Sequence, residues 1–393
     1  MFKPTSLATT LSLALLVALA PLSTDMYLPA LPGMAVEFSA NTGQMQLTLS
    51  LFLAGFAFAQ VIYGPLSDRF GRKPVLLAGL SLFIISSVGC ALSDNVYSLI
   101  LFRFLQALGG SAGPVLGRAM VRDIHGPKTA GKVLSHIGSA MALAPAIAPI
   151  AGSFMTVYWG WPSIFWFLAL FAIAGAALLH FKIAESAPEQ FRHPKSIKTI
   201  LSDYVTLLKD SKYLGYTLTC TFSYSGLMCF LSVSAFVVIE YFGVPVQSFG
   251  LIFAFVVGGY LSGTLIGGKL SDYMGHRKLV ALGSIVGLVG GVTMLLLAEF
   301  YPVHVAIIIG PMMLFMVSVG LIMPHSMAGA LANYPHMAGS ASGLFGFFQM
   351  TIAGIVGVIV GHSYDGTPVT MSAMIALMGL LTLITYLLLI HRD

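Results

Sequence analysis

Long apolar runs, separated by short stretches that hold nearly all of the charges, fill the chain from end to end. A helix needs about 20 residues to cross the hydrocarbon core of a bilayer. Twelve runs of this kind are bounded by charges, prolines or glycine clusters: 7–29, 43–66, 74–93, 96–119, 132–157, 162–183, 213–240, 247–270, 278–298, 303–331, 338–361 and 369–390. Strands of a membrane β-barrel would instead alternate polar and apolar residues over about 10 positions. The pattern therefore predicts an all-α membrane protein with twelve transmembrane helices.

The overall composition excludes a water-soluble fold. Of the 393 residues, 57% are hydrophobic and only 8% are Asp, Glu, Lys or Arg, and the mean hydropathy is +0.91. A soluble globular chain carries about 25% charged residues because its surface faces water. The high apolar content, together with a net charge of only +5, also excludes a disordered chain.

The basic residues collect on one side of the predicted spans. If the N-terminus is cytoplasmic, 18 of the 19 lysines and arginines fall in cytoplasmic loops or at the cytoplasmic termini, and Arg103 is the exception. Cytoplasmic loops of membrane proteins are enriched in Lys and Arg. The outer side carries acids instead: Glu37, Asp94, Glu299 and Asp365. We therefore expect both termini in the cytoplasm, and the basic excess gives no reason to expect a nucleic-acid partner.

The first apolar run has a second interpretation. Lys3, followed by Leu11–Ala20 with Ala-Leu-Ala at its end, resembles a secretory signal with a cleavage site. The run continues through an acidic, proline-flanked segment over Leu22–Pro32, which suits a functional span. We expect this helix to be retained.

The longest polar stretch, Ala184–Lys212, divides the chain into halves. It predicts an N-terminal six-helix bundle over 1–183, a cytoplasmic linker over 184–212 and a C-terminal six-helix bundle over 213–393. Ser196–Asp210 is compatible with an amphipathic surface helix, but a plain connector is the interpretation we favour.

The loop after the second run is repeated after the eighth. Gly64–Lys73 and Gly268–Arg277 align at an offset of 204 residues, with Gly, Leu, Ser, Asp and Gly coinciding. Parallel repeats of this kind are typical of transporters whose two bundles rock about a central site. A capped turn on the positive side is the simpler alternative for one copy, but the repetition favours a conformational latch. Its proposed residues are Gly64, Asp68, Arg69, Gly71, Arg72, Asp272, Gly275 and Arg277.

Four motifs together resemble the major facilitator superfamily, in its bicyclomycin-resistance branch. Gly64–Lys73 is similar to the superfamily's loop motif, and Leu101–Gly109 resembles its Arg-x-x-Gln-Gly motif with Ala107 in place of the first Gly. Ala144–Gly152 is similar to the antiporter motif, and Ser23–Pro32 to the branch's signature in the first span. The resemblance covers the whole chain.

The resemblance implies a drug:proton antiporter in the bacterial inner membrane, with two six-helix bundles, no cofactor and a monomeric state. It assigns Pro145, Pro149 and Gly152 to the antiporter motif, which is expected to seal the two halves against leakage. His276 stands where the superfamily has Arg, so we expect the second latch to be weaker.

Two strongly ionisable residues lie well inside a predicted span. A charge within the bilayer is costly, so such residues are candidates for function. Asp25 lies towards the outer end of the first span, and Arg103 lies at a similar depth in the fourth. We expect Asp25 to bind the coupled proton, with Arg103 and Gln106 tuning its affinity. A static pair, or an Asp25 that only caps its span, is the alternative. His325 is a further titratable group, for which a hydrogen-bonded structural role is favoured.

A drug-sized ligand needs apolar and aromatic walls with a few polar anchors. Candidate walls are Met26, Tyr27, Met141, Phe222, Tyr224, Phe230, Phe345, Phe348 and Gln349. Packing against lipid or neighbouring helices is an equally simple role for each of them. Glycines of the eighth and eleventh runs are spaced for close helix packing.

Other functional classes lack their signals in the sequence. A membrane enzyme would show a catalytic constellation within its spans, and a nucleotide-driven pump would show a phosphate-binding loop. A channel would not need two homologous halves with paired latches. The leading hypothesis is proton-coupled export of small amphipathic drugs by alternating access. Export or import of one specific metabolite by the same fold remains the alternative.

Overall fold

The computed structural model describes the backbone of residues 6–186, 197–334 and 337–391. Side chains are described over the same ranges except at 7, 125–143, 197–201, 272 and 338. Within these limits the chain is all-helical, and eleven segments are long and apolar enough to cross a membrane. Much of the predicted span 132–157 lies outside the described side chains. Each of the other eleven predicted runs overlaps one of these eleven segments.

The chain packs as two compact units. The first comprises Met1–Ala30 and Leu51–Lys195, and the second comprises Leu31–Ser50 and Ser196–Asp393. The first unit contains α1 (Leu7–Asp25), a 3₁₀ turn (Leu28–Ala30), most of α3 (Thr42–Phe70), α4 (Arg72–Ala91), α5 (Val96–Gly110), α6 (Ala112–Trp159) and α7 (Pro162–Lys182). The second contains α2 (Leu31–Glu37), the start of α3, α8 (Ile197–Lys209), α9 (Ser211–Ala235), α10 (Val246–Phe300), α11 (Ala306–Leu331), α12 (Ala338–Ser363) and α13 (Pro368–Thr385). Helices α9 and α13 continue into π-helical turns over Phe236–Tyr241 and Tyr386–Ile390.

Helix α6 is assigned as one element of 48 residues, but its two ends lie along the same partner. A straight helix of this length would extend about 70 Å. A Cβ atom at Gly113 would lie 2.2 Å from the carbonyl oxygen of Leu16, and one at Gly152 would lie 2.0 Å from that of Met26. Leu16 and Met26 are about 15 Å apart along α1. The arms 112–124 and 144–159 therefore both pack along α1. This is possible only if the chain reverses its direction between the two arms.

Helix α10 contains a similar break. Gly275 has φ 71° and ψ 163° within it, so two predicted spans, 247–270 and 278–298, form its two arms. The first arm packs closely on α11, because a Cβ at Gly259 or Gly263 would lie 2.2 Å from a carbonyl oxygen of that helix. The expectation that glycines of this run permit close packing is confirmed at these two positions. At Gly258 and Gly268 no atom lies within 4 Å of the Cβ position.

The stretch before α9 forms a helix over Ile197–Lys209, so the favoured interpretation of a plain connector was wrong there. Leu207 of α8 is fully buried, and Asp203 accepts a hydrogen bond of 2.8 Å from Ser340 of α12. Just beyond the helix, Asp210 accepts one of 2.6 Å from the hydroxyl of Tyr334. Burial of one apolar face and these two polar contacts hold α8 against the other helices of the second unit.

Candidate functional site

Arg103 on α5 is fully buried in the first unit, without a carboxylate partner among the described residues. Its Nη1 donates to the carbonyl oxygen of Ser23 at 2.9 Å and to Oε1 of Gln106 at 2.7 Å. Nε and Nη2 are buried without a hydrogen-bond partner. Two of its donor nitrogens are therefore available to an acceptor that approaches the site.

Aromatic rings surround the Arg103 guanidinium. Its central carbon lies 4.3 Å from the ring centre of Phe52, 4.7 Å from that of Tyr27 and 5.9 Å from that of Phe165. The negative face of an aromatic ring attracts a cation, and the attraction strengthens when water is excluded. These rings, from α3, the turn after α1, and α7, replace a counterion in holding the charge. We call Arg103, Tyr27, Phe52 and Phe165 the arginine cage.

Two hydrogen bonds on the α4 side fix the orientation of the Gln106 amide, which contacts Arg103. Nε2 of Gln106 donates to the hydroxyl of Ser87 at 2.8 Å, and that hydroxyl donates to the carbonyl oxygen of Phe83 at 2.7 Å. These bonds fix the Gln106 amide with its oxygen towards Arg103, because its nitrogen is already used. Arg103 and Gln106, both proposed from the sequence, lie one turn apart on α5 and are hydrogen-bonded to each other, and Ser87 of α4 fixes the amide.

Asp25 is the last residue of α1 and is 6% exposed. No described residue forms a hydrogen bond or an ion pair with its carboxylate, and it does not lie within 4 Å of the Arg103 nitrogens. The two residues are linked indirectly, because Arg103 binds the carbonyl of Ser23, two positions before Asp25. The static Asp25–Arg103 pair considered from the sequence is not formed in this structure.

The loop between α3 and α4 is a charged cluster. Arg72 pairs with Asp68 at 2.5 Å and with Asp123 of α6 at 3.1 Å, and it also donates to the Ser67 hydroxyl. The sequence proposed Asp68 and Arg72 but missed Asp123, which becomes recognisable only when α6 is brought beside the loop. At Gly64 no atom of a described residue lies within 4 Å of the Cβ position, and Arg69 lies over the Phe70 ring at 5.1 Å.

Glu185, just after α7, anchors the same loop. Its carboxylate accepts hydrogen bonds from the backbone N–H groups of Arg72 at 3.0 Å and Lys73 at 3.1 Å, at the N-terminus of α4. In return, Nζ of Lys73 donates to the carbonyl oxygens of His180 and Ile183, at 2.8 and 2.7 Å. A negative charge at a helix N-terminus and a positive charge at a C-terminus are both favourable. Glu185 belongs to the predicted linker 184–212, and its sequence position alone gave no sign of this role.

Gly71 makes the Glu185 contact possible. Its φ of 97° is disfavoured for any residue with a side chain, and a Cβ would lie 2.6 Å from Oε2 of Glu185. The glycine therefore serves both the backbone turn and the approach of the carboxylate.

The repeated loop after the first arm of α10 is built differently. Gly275 repeats the positive φ, at 71°, but no atom of the described residues lies within 4 Å of its Cβ position. Nδ1 of His276 lies 3.1 Å from Nδ1 of His325, and Arg277 donates to the carbonyl oxygen of His391 at 2.5 Å. The Asp272 side chain lies outside the described residues. Among those described, this loop has no counterpart of the carboxylate that anchors Gly71.

The proposed pocket residues occupy different environments. In the first unit, Met26 and Tyr27 are buried, and Tyr27 belongs to the arginine cage. In the second, Phe230 stacks on Phe253 at 6.1 Å, and Nε2 of Gln349 lies 3.9 Å from the Cys220 sulfur.

Phe345 and Phe348 pack in one hydrophobic cluster with residues of α8, α9 and α11, and Phe222 and Tyr224 of α9 are half-buried. The Met141 side chain lies outside the described residues. Of the antiporter motif, Gly152 contacts α1 closely, while Pro145 and Pro149 lie on the same arm of α6.

Comparison with known proteins identifies the family. Residues 13–358 match the family model described as Major Facilitator Superfamily. The chain is 32% identical over 370 residues to an "Uncharacterized MFS-type transporter YdgK" of Bacillus subtilis, covering 94% of this chain and 92% of that one. It is 29% identical over 389 residues to a "Bicyclomycin resistance protein homolog" of Haemophilus influenzae, covering 98% and 96%. It is 30% identical over 359 residues to a "Chloramphenicol resistance protein" of Pseudomonas aeruginosa, covering 90% and 83%.

Solved structures agree on the fold. A peptide transporter in complex with alafosfalin has a TM-score of 0.79 at 12% sequence identity, with 97% of this chain and 93% of that one covered. Family and fold are those of membrane transporters rather than enzymes.

Proposed function

Because the chain belongs to the Major Facilitator Superfamily, we propose that it exports small amphipathic drugs from the bacterial cytoplasm in exchange for protons. It works by alternating access in the inner membrane, with twelve spans, both termini cytoplasmic and two bundles, 1–183 and 213–393, joined by the linker 184–212. The printed names of relatives, which include bicyclomycin and chloramphenicol resistance, support a drug as the substrate.

The observation that carries proton coupling is the environment of Asp25 and Arg103. Asp25 is 6% exposed and, among the described residues, has no partner, while Arg103 holds two unpartnered buried donors in the same unit. A buried carboxylate favours its neutral form, and a nearby cation favours the charged form. Loss of the proton from Asp25 therefore draws its carboxylate towards Nε and Nη2 of Arg103.

Movement of this kind displaces the end of α1. Ser23 and Met26 lie on either side of Asp25, and they touch Arg103 and Gly152, respectively. A shift of Asp25 towards Arg103 therefore also moves Met26, and this changes the close backbone contact between the end of α1 and Gly152 on α6. This links the protonation state to helix packing, which a proton-coupled transporter requires.

The remaining proposed residues have supporting roles. The charged loop of Asp68, Arg72 and Glu185 holds one conformation on the cytoplasmic side. The drug contacts the aromatic and methionine side chains proposed as pocket walls, with Gln349 as a polar anchor. The protein works as a monomer.

The test is proton flux in proteoliposomes that contain the purified protein. Addition of chloramphenicol should drive proton movement in the wild type and not in Asp25→Asn. Asp94→Asn, which removes an exposed acid outside the spans, serves as the matched control and should behave as the wild type. Export driven by a pH gradient at the wild-type rate in Asp25→Asn would exclude Asp25 as the coupling residue. Exchange of a metabolite without proton movement would favour the specific-metabolite alternative.

A further inference from the structure

Helix α3 contributes to both compact units. Its first part, up to Ser50, packs with the second unit, and the remainder, from Leu51, packs with the first. By the charge pattern, the first part is the outer end of the helix. One continuous helix therefore joins both units, and its outer end is fastened within the second.

The fastening is made by one amide. Gln46 is 2% exposed, and its Nε2 donates to the hydroxyl of Ser232 on α9 at 2.6 Å and lies 3.5 Å from that of Ser50. The Ser232 hydroxyl in turn donates to the carbonyl oxygen of Met228 at 2.6 Å. Oε1 of Gln46 is buried without a hydrogen-bond partner.

Two glycines of α12 form the seat of this amide. A Cβ at Gly361 would lie 2.4 Å from Cβ and Cγ of Gln46. A Cβ at Gly357 would lie 3.0 Å from Nε2 of Gln46, 3.0 Å from the Ser50 hydroxyl oxygen and 3.2 Å from that of Ser232. Positions four apart share one helix face, so Gly357 and Gly361 together make a groove that admits the Gln46 side chain.

We propose that Gln46, seated on Gly357 and Gly361 and bonded to Ser232, is an outer lock that closes the extracellular side and opens once in each transport cycle. The proposal rests on the proposed alternating-access function. If the two bundles move apart on the outer side, a helix fastened in both units must release one of its attachments.

The chemistry of the outer lock suits repeated opening. The contact surface consists of an amide, two hydroxyls and glycine backbone, all of which water can solvate when the lock opens. Half of the amide is unsatisfied when the lock is closed, since Oε1 has no partner, so the closed state does not hold its full set of hydrogen bonds. Interlocked apolar side chains would instead expose hydrophobic surface on every opening.

A disulfide across the outer lock tests the proposal. For the Ser50→Cys/Gly357→Cys variant, a Cβ at residue 357 would lie 3.0 Å from the place of the Ser50 hydroxyl oxygen, which the sulfur of a cysteine at position 50 would occupy. The two side chains are therefore near enough for a disulfide, whose Cβ atoms are about 3.8 Å apart. The control pair is Gly287→Cys/Ser318→Cys, which joins α10 and α11, where a Cβ at Gly287 would lie 2.5 Å from the Ser318 hydroxyl oxygen. The three native cysteines are buried and remain in place. Each single-cysteine variant is oxidised in parallel.

We expect oxidation in membranes to cross-link the Ser50/Gly357 pair and to stop chloramphenicol export, and reduction to restore it. The control pair should cross-link without loss of export. If no disulfide forms at the outer lock, or if the cross-linked protein exports at the rate of the reduced protein, the proposal is wrong.

A second measurement is independent of the drug. In Ser50→Cys, the thiol should react slowly with a membrane-impermeant maleimide added from outside, because residue 50 is 2% exposed in the closed lock and the hydrogen bond of 2.6 Å from Gln46 to Ser232 is kept. Adding Gln46→Ala should raise the rate several-fold, up to roughly tenfold, the population shift that one hydrogen bond supports. Gln44→Ala, which disturbs the same helix end through its exchange with Asn41, is the matched control and should have little effect. An unchanged rate in Gln46→Ala overturns the outer lock even if chloramphenicol proves not to be a substrate.

Discussion

The two repeated loops offer an internal comparison of what a glycine contributes. We predict that Gly71→Ala destabilises the protein more than Gly275→Ala. Both positions have positive φ, 97° and 71°, with ψ of 153° and 163°, so alanine introduces similar backbone strain at each. Strain of this kind costs about 1–3 kcal/mol. Among the described residues, the new Cβ meets a neighbour at Gly71 alone, where Oε2 of Glu185 would lie 2.6 Å away.

The additional cost at Gly71 follows from the contacts of Glu185. Real Cβ atoms essentially never approach an oxygen this closely, so the carboxylate has to move away from the N–H groups of Arg72 and Lys73. Hydrogen bonds to a charged group contribute about 1.5–3 kcal/mol when buried, and less at this partly exposed site. We therefore expect Gly71→Ala to exceed Gly275→Ala by about 1–2 kcal/mol.

The assay is unfolding of the purified protein in mixed micelles, followed by the loss of helical circular dichroism. Gly71→Ala and Gly275→Ala are measured alone, and Gly71→Ala is also measured in a Glu185→Ala background. Removing Glu185 should reduce the cost of Gly71→Ala to that of Gly275→Ala, because only the backbone strain then remains. Equal costs for the two single variants, or an undiminished cost of Gly71→Ala without Glu185, would refute the reasoning.

Three further predictions concern helix packing, the buried charge of Arg103 and the hydroxyl of Tyr334. Gly152→Ala should destabilise the protein by about 1–3 kcal/mol, because its Cβ would lie 2.0 Å from a carbonyl oxygen of α1, whereas Gly64→Ala, with nothing within 4 Å, should be neutral or stabilising in the same unfolding assay. Arg103→Lys should lower export at least about tenfold with normal expression, since an ammonium lacks the planar face and the paired donors that the arginine cage uses; wild-type export would show that charge alone suffices. The Asp210 carboxylate raises the pKa of Tyr334 from 10.0 to about 12. Because the folded-state pKa is the higher one, this contact stabilises the fold below pH 10 and is lost as the pH rises through about 12. The difference in tyrosinate absorbance between wild type and Tyr334→Phe should therefore show one ionisation near 12, which Asp210→Asn should move towards lower pH.

The sequence was sufficient for the helical architecture because each span carries its own signal. An apolar run of the length of a bilayer is a local property that can be recognised without knowing the rest of the fold. The repeat at Gly71 and Gly275 could be recognised for a similar reason, because both glycines belong to the same short sequence motif. In the structure both adopt a positive φ. The division near Gly275 was also predicted, since the spans 247–270 and 278–298 match two separate apolar segments, Val246–Ser271 and Tyr273–Phe300, on either side of it.

The partners of the site residues were not accessible from local patterns. Arg103 was identified because it is a charge within a span, but Phe52 and Phe165 are two of many aromatic residues and nothing in their own neighbourhood points to a cation. Glu185 looked like an ordinary linker acid until the end of α7 was placed beside the start of α4. Gln46 was missed because one polar residue near a helix end is commonplace, and its role depends on glycines more than 300 positions away along the chain.

The helix at Ile197–Lys209 illustrates the reverse error. Its charges and nearby prolines favoured a connector, although the apolar residues were spaced for a helix. The helix is stabilised by burial of Leu207 and by the Asp203–Ser340 contact, and both depend on α12 and its neighbours being in place. Tertiary packing therefore favours the helix at a position where the local sequence pattern alone was compatible with either alternative.

An arginine held by ring faces and amide oxygens has a consequence for the electrostatic potential inside the first unit. Aromatic quadrupoles and carbonyl dipoles do not titrate, so the forces that hold the Arg103 charge are the same at every physiological pH. Mobile ions do not reach the fully buried guanidinium, so salt screens it little. Arg103 is thus a fixed reference charge. Under the proposed coupling, loss of the proton from Asp25 changes the net charge of this part of the first unit from plus one to zero, while the Arg103 charge itself stays constant.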